Sequence, residues 1–225
     1  MSRTLRCLIL ALFGAIHPVP AADPLGGSEL APAYKALVRD AMRGFTTRDF
    51  KTTLALVDKA DQMYPATANT LNIRAAVAIE QGKYTDGRDY CMKSLNVDPA
   101  FFPALFNLAE IPFMQGKYAE ARLAYEKLLE EDSSGDLIKF RLYLTYLLEK
   151  DDERAKAQLD KIPLLNDTPI YFFAFAAWEF AHGDEKKAQS YLNSAETVFP
   201  KAKLSNFSDV FYDIGWMKRP TGNDQ

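Results

Sequence analysis

Cysteine and histidine are scarce in this chain, with two of each among 225 residues. Cys7 and His17 lie in an N-terminal stretch laid out like an export signal, which leaves Cys91 and His182 for the folded part. A single cysteine forms no intramolecular disulfide, and one cysteine with one histidine is a poor zinc constellation. The 11 glycines are dispersed, and none builds a loop between a strand and a helix, so the nucleotide-binding fingerprint is missing. Ser28, Ser94, Ser133, Ser134 and Ser190 fall in leader, core or turn contexts with no base beside them. Acidic runs such as Glu130-Glu131-Asp132 read as solvated helix ends, since a calcium loop needs a more compact set of oxygen ligands. These absences lead to the expectation of no cofactor, no metal site and no enzyme. A net charge of -3, with Lys and Arg scattered among Asp and Glu, excludes a nucleic-acid surface, which needs clustered cations.

Long apolar runs are also missing. The uncharged run from Cys7 to Ile16 is about half of the roughly 20 residues that span a bilayer. Preceded by Arg3 and Arg6 and followed by Val19-Pro20-Ala21, it predicts a secretory signal over 1–21, cleaved after Ala21. The expected location is therefore periplasmic or secreted, with no membrane-spanning segment in the mature chain. Residues 22–29 read as a flexible leader, 30–220 as one helical-repeat domain and 221–225 as a loose tail.

What the chain does have is a repeated pattern. An alanine-rich helix, a glycine or polar turn, a second helix and then Pro recur about every 34 residues. With Pro65, Pro99 and Pro200 aligned, the turn residues Gly82, Gly116 and Gly183 share one register. Thr46-Thr47-Arg48-Asp49 and Lys150-Asp151-Asp152 stand in for glycine in the first and fourth units. Apolar residues three and four apart, such as Phe50, Leu54 and Val57, mark the buried faces. In the fourth unit the second helix carries Ala155, Leu159 and Ile162. The period predicts an all-α solenoid of five antiparallel helix pairs plus a terminal helix over Asn206 to Met217, eleven helices altogether. That terminal helix is expected to lay Phe207, Val210 and Phe211 on the second helix of unit five. Cys91 is expected as a small buried hydrophobe, and His182 as a polar residue at a helix carboxyl end.

The residues of three units carry a resemblance. Leu71, Ala75, Ala78, Gly87, Cys91 and Pro99 in unit two, Leu105, Leu108, Ala109, Ala121 and Tyr125 in unit three, and Phe172, Phe175, Ala176, Ala188, Leu192 and Pro200 in unit five resemble the tetratricopeptide-repeat pattern. The resemblance implies a right-handed superhelix whose concave groove is lined by the first helices of the pairs, and a protein or peptide as partner. The groove positions it implies form an apolar strip: Phe106, Phe113, Phe140, Leu144, Phe173 and Phe180, with Arg141 as a nearby charge. Asn72 and Asn107 are remnants of the positions with which some relatives clamp a carboxylate. Two occupants of the strip are open: an amphipathic helix or extended apolar peptide from a partner, or the chain's own helices, its C-terminal segment or a second copy in a homodimer. The role expected is a noncatalytic, exported interaction scaffold; self-association and a carbohydrate-handling accessory role are the alternatives.

Overall fold

The computed structural model describes residues 32–131, 135–164 and 167–219. The predicted signal, leader and tail lie outside these residues. Eleven α-helices make up the described chain: α1 (Pro32–Thr46), α2 (Phe50–Met63), α3 (Ala68–Glu80), α4 (Tyr84–Val97), α5 (Phe102–Met114), α6 (Tyr118–Glu131), α7 (Asp136–Leu148), α8 (Asp152–Leu159), α9 (Ile170–Ala181), α10 (Glu185–Val198) and α11 (Lys201–Asp213). They pair as α1/α2, α3/α4, α5/α6, α7/α8 and α9/α10, with α11 left over, in keeping with the predicted count. No strand occurs among the described residues. Where one array was expected over 30–220, the described residues fall into two compact units, 32–111 and 112–219, divided within α5.

One turn serves every pair. Each first helix ends in a residue with positive φ: Arg48 (61°), Gly82 (74°), Gly116 (72°), Lys150 (61°) and Gly183 (83°). The amide of that residue bonds three residues back and the next amide five back, as in Gly82 N–H to Ile79 O (2.8 Å) and Lys83 N–H to Ala78 O (2.9 Å). These are the two bonds of a Schellman motif, which satisfies the last carbonyls of a helix and reverses the chain. Glycine adopts the left-handed conformation without a Cβ penalty, so the aligned glycines have a mechanical cause, and Arg48 and Lys150 take the same shape at some strain. Asp49, Asp151 and Asp184 then cap the second helices, accepting from the amides of Thr52, Arg154 and Lys187. α11 ends with one of the two bonds, Gly215 standing at 81° and Trp216 N–H bonded to Phe211 O at 2.8 Å.

Small residues let paired helices touch. Ala75, Ala121, Ala155, Ala176 and Ala188 are completely buried. At Gly87 a Cβ would overlap Ile79 Cγ1 and stand 3.2 Å from Ile79 Cδ1. In the 32–111 unit, Tyr34, Val38, Ala41, Val57, Ala60 and Ile73 form one cluster, and Ala75, Cys91 and Ala104 another. Ser94 Oγ donates to Ala68 O at 2.7 Å, tying α4 to α3. Arg74 bridges back to Asp58 (2.8 Å) and Asp61 (2.7 Å) on α2, and Arg48 reaches Glu80 (2.6 Å) on α3.

α8 departs from the predicted pattern. It has 8 residues where α2, α4, α6 and α10 have 14. Ile162 keeps the apolar register but falls in the turn after the helix. Pro163 explains the early end: it lacks an N–H and disfavours helical φ/ψ at the preceding residue. Pro112, by contrast, is accommodated inside α5.

Candidate functional site

Three of the predicted aromatics, Phe140, Phe173 and Phe180, come together in the 112–219 unit, where α7, α9 and α11 meet. Phe140 of α7 lies 6.5 Å from Phe173 of α9, edge to face. α11 places two rings, four residues apart, between and over them. Phe207 is 5.4 Å from Phe140 and 5.6 Å from Phe173; Phe211 is 6.1 Å from Phe140, 5.7 Å from Phe173 and 5.5 Å from Phe180. Trp216 follows the turn at Gly215 and stacks on Phe180 at 5.8 Å. Such offset and edge-on pairs each add about 1 kcal/mol to the area they bury. Phe140 and Phe211 are completely buried and Phe173 nearly so, while Phe180 keeps part of its ring exposed. Arg219 pins the end of the segment, donating to the buried carboxylate of Asp213 at 2.7 Å.

The remaining predicted residues sit elsewhere in the packing. Leu144 and Arg141 on α7 are completely buried. Phe113 joins Tyr118 (5.5 Å) and Tyr125 (6.3 Å) of α6 instead of the strip. Its counterpart one period earlier but one, Phe45, does the same with Phe50 at 5.7 Å. At this register the last turn of a first helix faces the start of the second. Phe180 escapes that fate because α10 begins with Glu185 where α2, α4 and α6 begin with Phe50, Tyr84 and Tyr118. Phe106 belongs to the 32–111 unit, buried with Phe102 at 6.4 Å. Asn107 Nδ2 donates to Asn72 Oδ1 at 2.8 Å, both residues buried, so the two asparagines hold each other.

α11 touches the second helix of unit five, as expected, and lays its aromatic rings on the first helices of units four and five, the occupancy of the strip by the C-terminal segment that the sequence left open. An amphipathic pattern names a buried face but not the surface that buries it. The i, i+4 spacing of Phe207 and Phe211, matched to Phe140 and Phe173, was the available signal.

Cys91 is fully buried, and burial pushes its thiol up to about 12. His182 caps α9, its Nδ1 2.7 Å from Trp178 O and its Nε2 3.2 Å from Asp152 Oδ2. The Trp178 carbonyl and then the Asp152 carboxylate raise its pKa. Among the described residues no group of His, Cys, Asp and Glu is arranged to hold a metal, and no helix is long and apolar enough to cross a membrane.

No protein-family model matches the chain. Over 111 residues, 49% of the chain, it is 27% identical to small glutamine-rich tetratricopeptide repeat-containing protein 2 of Mycosarcoma maydis, covering 31% of that protein. Over 132 residues, 59% of the chain, it is 28% identical to the protein SGT1 homolog of Oryza sativa subsp. japonica, covering 34% of it. The chain thus spans about a third of the length of the curated relatives it matches. A solved tetratricopeptide repeat protein from Parabacteroides merdae ATCC 43184 matches with a TM-score of 0.50 at 18% identity, over 83% of this chain and 75% of that one. The fold is a tetratricopeptide-like array of helix pairs, and the chain is homologous to tetratricopeptide-repeat proteins.

Proposed function

We propose that this chain is a noncatalytic interaction scaffold whose α7–α9 face receives an amphipathic helix carrying two aromatic residues four apart. The observation that supports this reading is that the face already holds such a helix from its own chain, with Phe207 and Phe211 of α11 against Phe140 and Phe173. A protein partner with the same pattern competes with α11 for Phe140, Phe173 and Phe180, while Leu144, Arg141 and Phe113, buried in the packing, are not contacted. Phe106, in the other unit, is not needed. Helix-in-groove recognition of this kind is anchored by aromatics spaced one turn apart.

The test uses a fluorescein-labelled peptide of residues 201–217 and the double variant Phe207→Ala/Phe211→Ala. The peptide binds the folded variant and is excluded from the parent chain, whose own α11 occupies the face. Equal binding to both, or none to a variant that circular dichroism shows to be folded, would overturn the reading. The self-association alternative rests on the same contacts: α11 exchanged between two copies would give a homodimer by light scattering, where the first reading gives a monomer.

We further propose that the protein is exported, on the strength of Arg3, Arg6, the apolar run Cys7–Ile16 and the small residues up to Ala21. Mass spectrometry of protein from its native compartment should find Ala22 at the N-terminus. An intact Met1 or Ser2 there would remove the proposal.

A further inference from the structure

The early end of α8 leaves a cavity. Where the other second helices run on for further turns, this chain has a pocket of about 320 Å³, walled by α6, α7, the end of α8 and the start of α9. That volume is at the lower end of the range for small-ligand sites. Its floor is aliphatic, made by Leu129, Leu142, Ile162 and Ile170. Tyr143, also in the lining, is completely buried and spends its hydroxyl on Ala174 O at 3.1 Å.

The polar groups of the lining divide into engaged and unengaged. Asp136 accepts from Lys139 Nζ at 3.1 Å and from Thr168 Oγ1 at 2.7 Å, so its charge is already met. Asp160, next along the chain from the helix end, pairs with Lys156. Lys161 and Gln158 also line the pocket, and neither side chain has a hydrogen-bond or ion-pair partner among the described residues. The pocket therefore combines an aliphatic floor with one unpaired ammonium and one unpaired amide, and the neighbouring carboxylates are neutralised. We infer that it binds a small monocarboxylate with an aliphatic body, the carboxylate accepting from Lys161 and Gln158 and the body lying on Leu142, Ile162 and Ile170. The site is separate from the α11 contacts, so it stands or falls independently of the proposed partner surface.

The probes are hexanoate, octanoate, decanoate and the uncharged decanol. Titrations are followed by calorimetry and by methyl NMR of Leu129, Leu142, Ile162 and Ile170. Affinity should rise about fourfold per added methylene until the floor is covered. Lys161→Ala should weaken octanoate by up to about fivefold at low ionic strength, the upper end for an exposed ion pair. Lys127→Ala, an exposed charge on α6 outside the pocket, should leave it unchanged. The same chemistry also occurs at the end of an apolar polypeptide. A short acetylated peptide ending in Leu with a free carboxylate, compared with its amide, separates that source from a free acid: tighter binding than decanoate assigns the pocket to a chain terminus, weaker binding to a free acid. Decanol binding as tightly as decanoate, Lys161→Ala leaving octanoate affinity unchanged, or methyl signals unmoved by millimolar decanoate would each overturn the inference.

Discussion

Truncating Phe211 to alanine asks how firmly α11 is seated. The ring is completely buried, and the rings of Phe140, Phe173, Phe180 and Trp216 stand 6.1, 5.7, 5.5 and 5.5 Å from it. α7 and α9 are held by their own pairing partners and do not collapse into the space. The change should therefore cost about 3 to 5 kcal/mol, the range for a buried Phe→Ala with little relaxation. A terminal helix has a second way out, however: it can leave. If the docking free energy of α11 is smaller than the cost of the cavity, the variant undocks α11 and keeps the rest. Urea unfolding distinguishes these outcomes, because prior undocking lowers the slope as well as the midpoint, less surface remaining to be exposed. Amide exchange along α11 then approaches the unprotected limit while α7 and α9 stay protected, and Trp216 fluorescence shifts to the red, with Trp216→Phe as the control. Tyr212→Ala, one residue on and only half-buried, should stay within about 1 kcal/mol. A Phe211→Ala chain that loses less than about 1 kcal/mol and keeps α11 protected would refute the account, since rings at these distances would then be contributing nothing.

Gly87→Ala should destabilise by about 1 to 3 kcal/mol in thermal or urea unfolding, because a Cβ there meets the buried Ile79 and overpacking outweighs the gain in helix propensity. Lys150→Gly should stabilise by up to about 1 kcal/mol by relieving a positive φ, whereas Arg48→Gly at the same register should destabilise, since it removes the 2.6 Å pair with buried Glu80. Cys91 should resist Ellman's reagent at pH 8 in the native state, its thiol lifted to about 12, and react on unfolding. The pKa of His182 is raised, first by Trp178 O and then by Asp152, so the folded state favours the protonated ring. That stabilisation is complete below the ordinary 6.5 and is lost as pH rises through the raised value; an NMR titration midpoint at or below 6.5, or one that Asp152→Asn fails to lower, would contradict it.

The helices and turns were legible because each depends on local chemistry. Gly82, Gly116 and Gly183 mark left-handed positions, and Asp49, Asp151 and Asp184 mark caps, whatever the rest of the chain does. The end of α8 was readable too, in Pro163, but the apolar register of Ala155, Leu159 and Ile162 pointed past it. In a periodic chain the repeat is a strong prior, and a single breaker is easily outvoted. Phe140, Phe173 and Phe180 share one aromatic cluster with α11, whereas Phe106 and Phe113 pack elsewhere, and the exposure of none of them is readable in the sequence. A phenylalanine on the open side of a helix pair looks the same in sequence whether a partner, solvent or the chain's own last helix lies opposite. That is a fact of long-range packing, decided here by residues about 30 to 70 positions away.

The constancy of the turn sharpens where individuality resides. Five first helices end in the same pair of backbone bonds, so the angle at which each pair closes is set by backbone geometry and owes little to side chains. Function in such an array has to come from the positions that break the pattern. Three breaks stand out, and all fall in the 112–219 unit. Glu185 replaces the aromatic that would have claimed Phe180, leaving that ring to meet Phe211 and Trp216. α8 stops at Leu159, which opens a pocket beside Lys161. Among the described residues α11 follows the fifth pair without a pairing partner of its own and lays two phenylalanines on the α7–α9 face. Restoring the pattern is then a sharper probe than deleting parts of it: Glu185→Tyr should draw Phe180 towards α10 and loosen Trp216, with its fluorescence moving to the red while Phe207 holds its place. A variant in which Trp216 emission stays put would show that Phe180 is committed to α11 by its own packing rather than by the absence of a competitor.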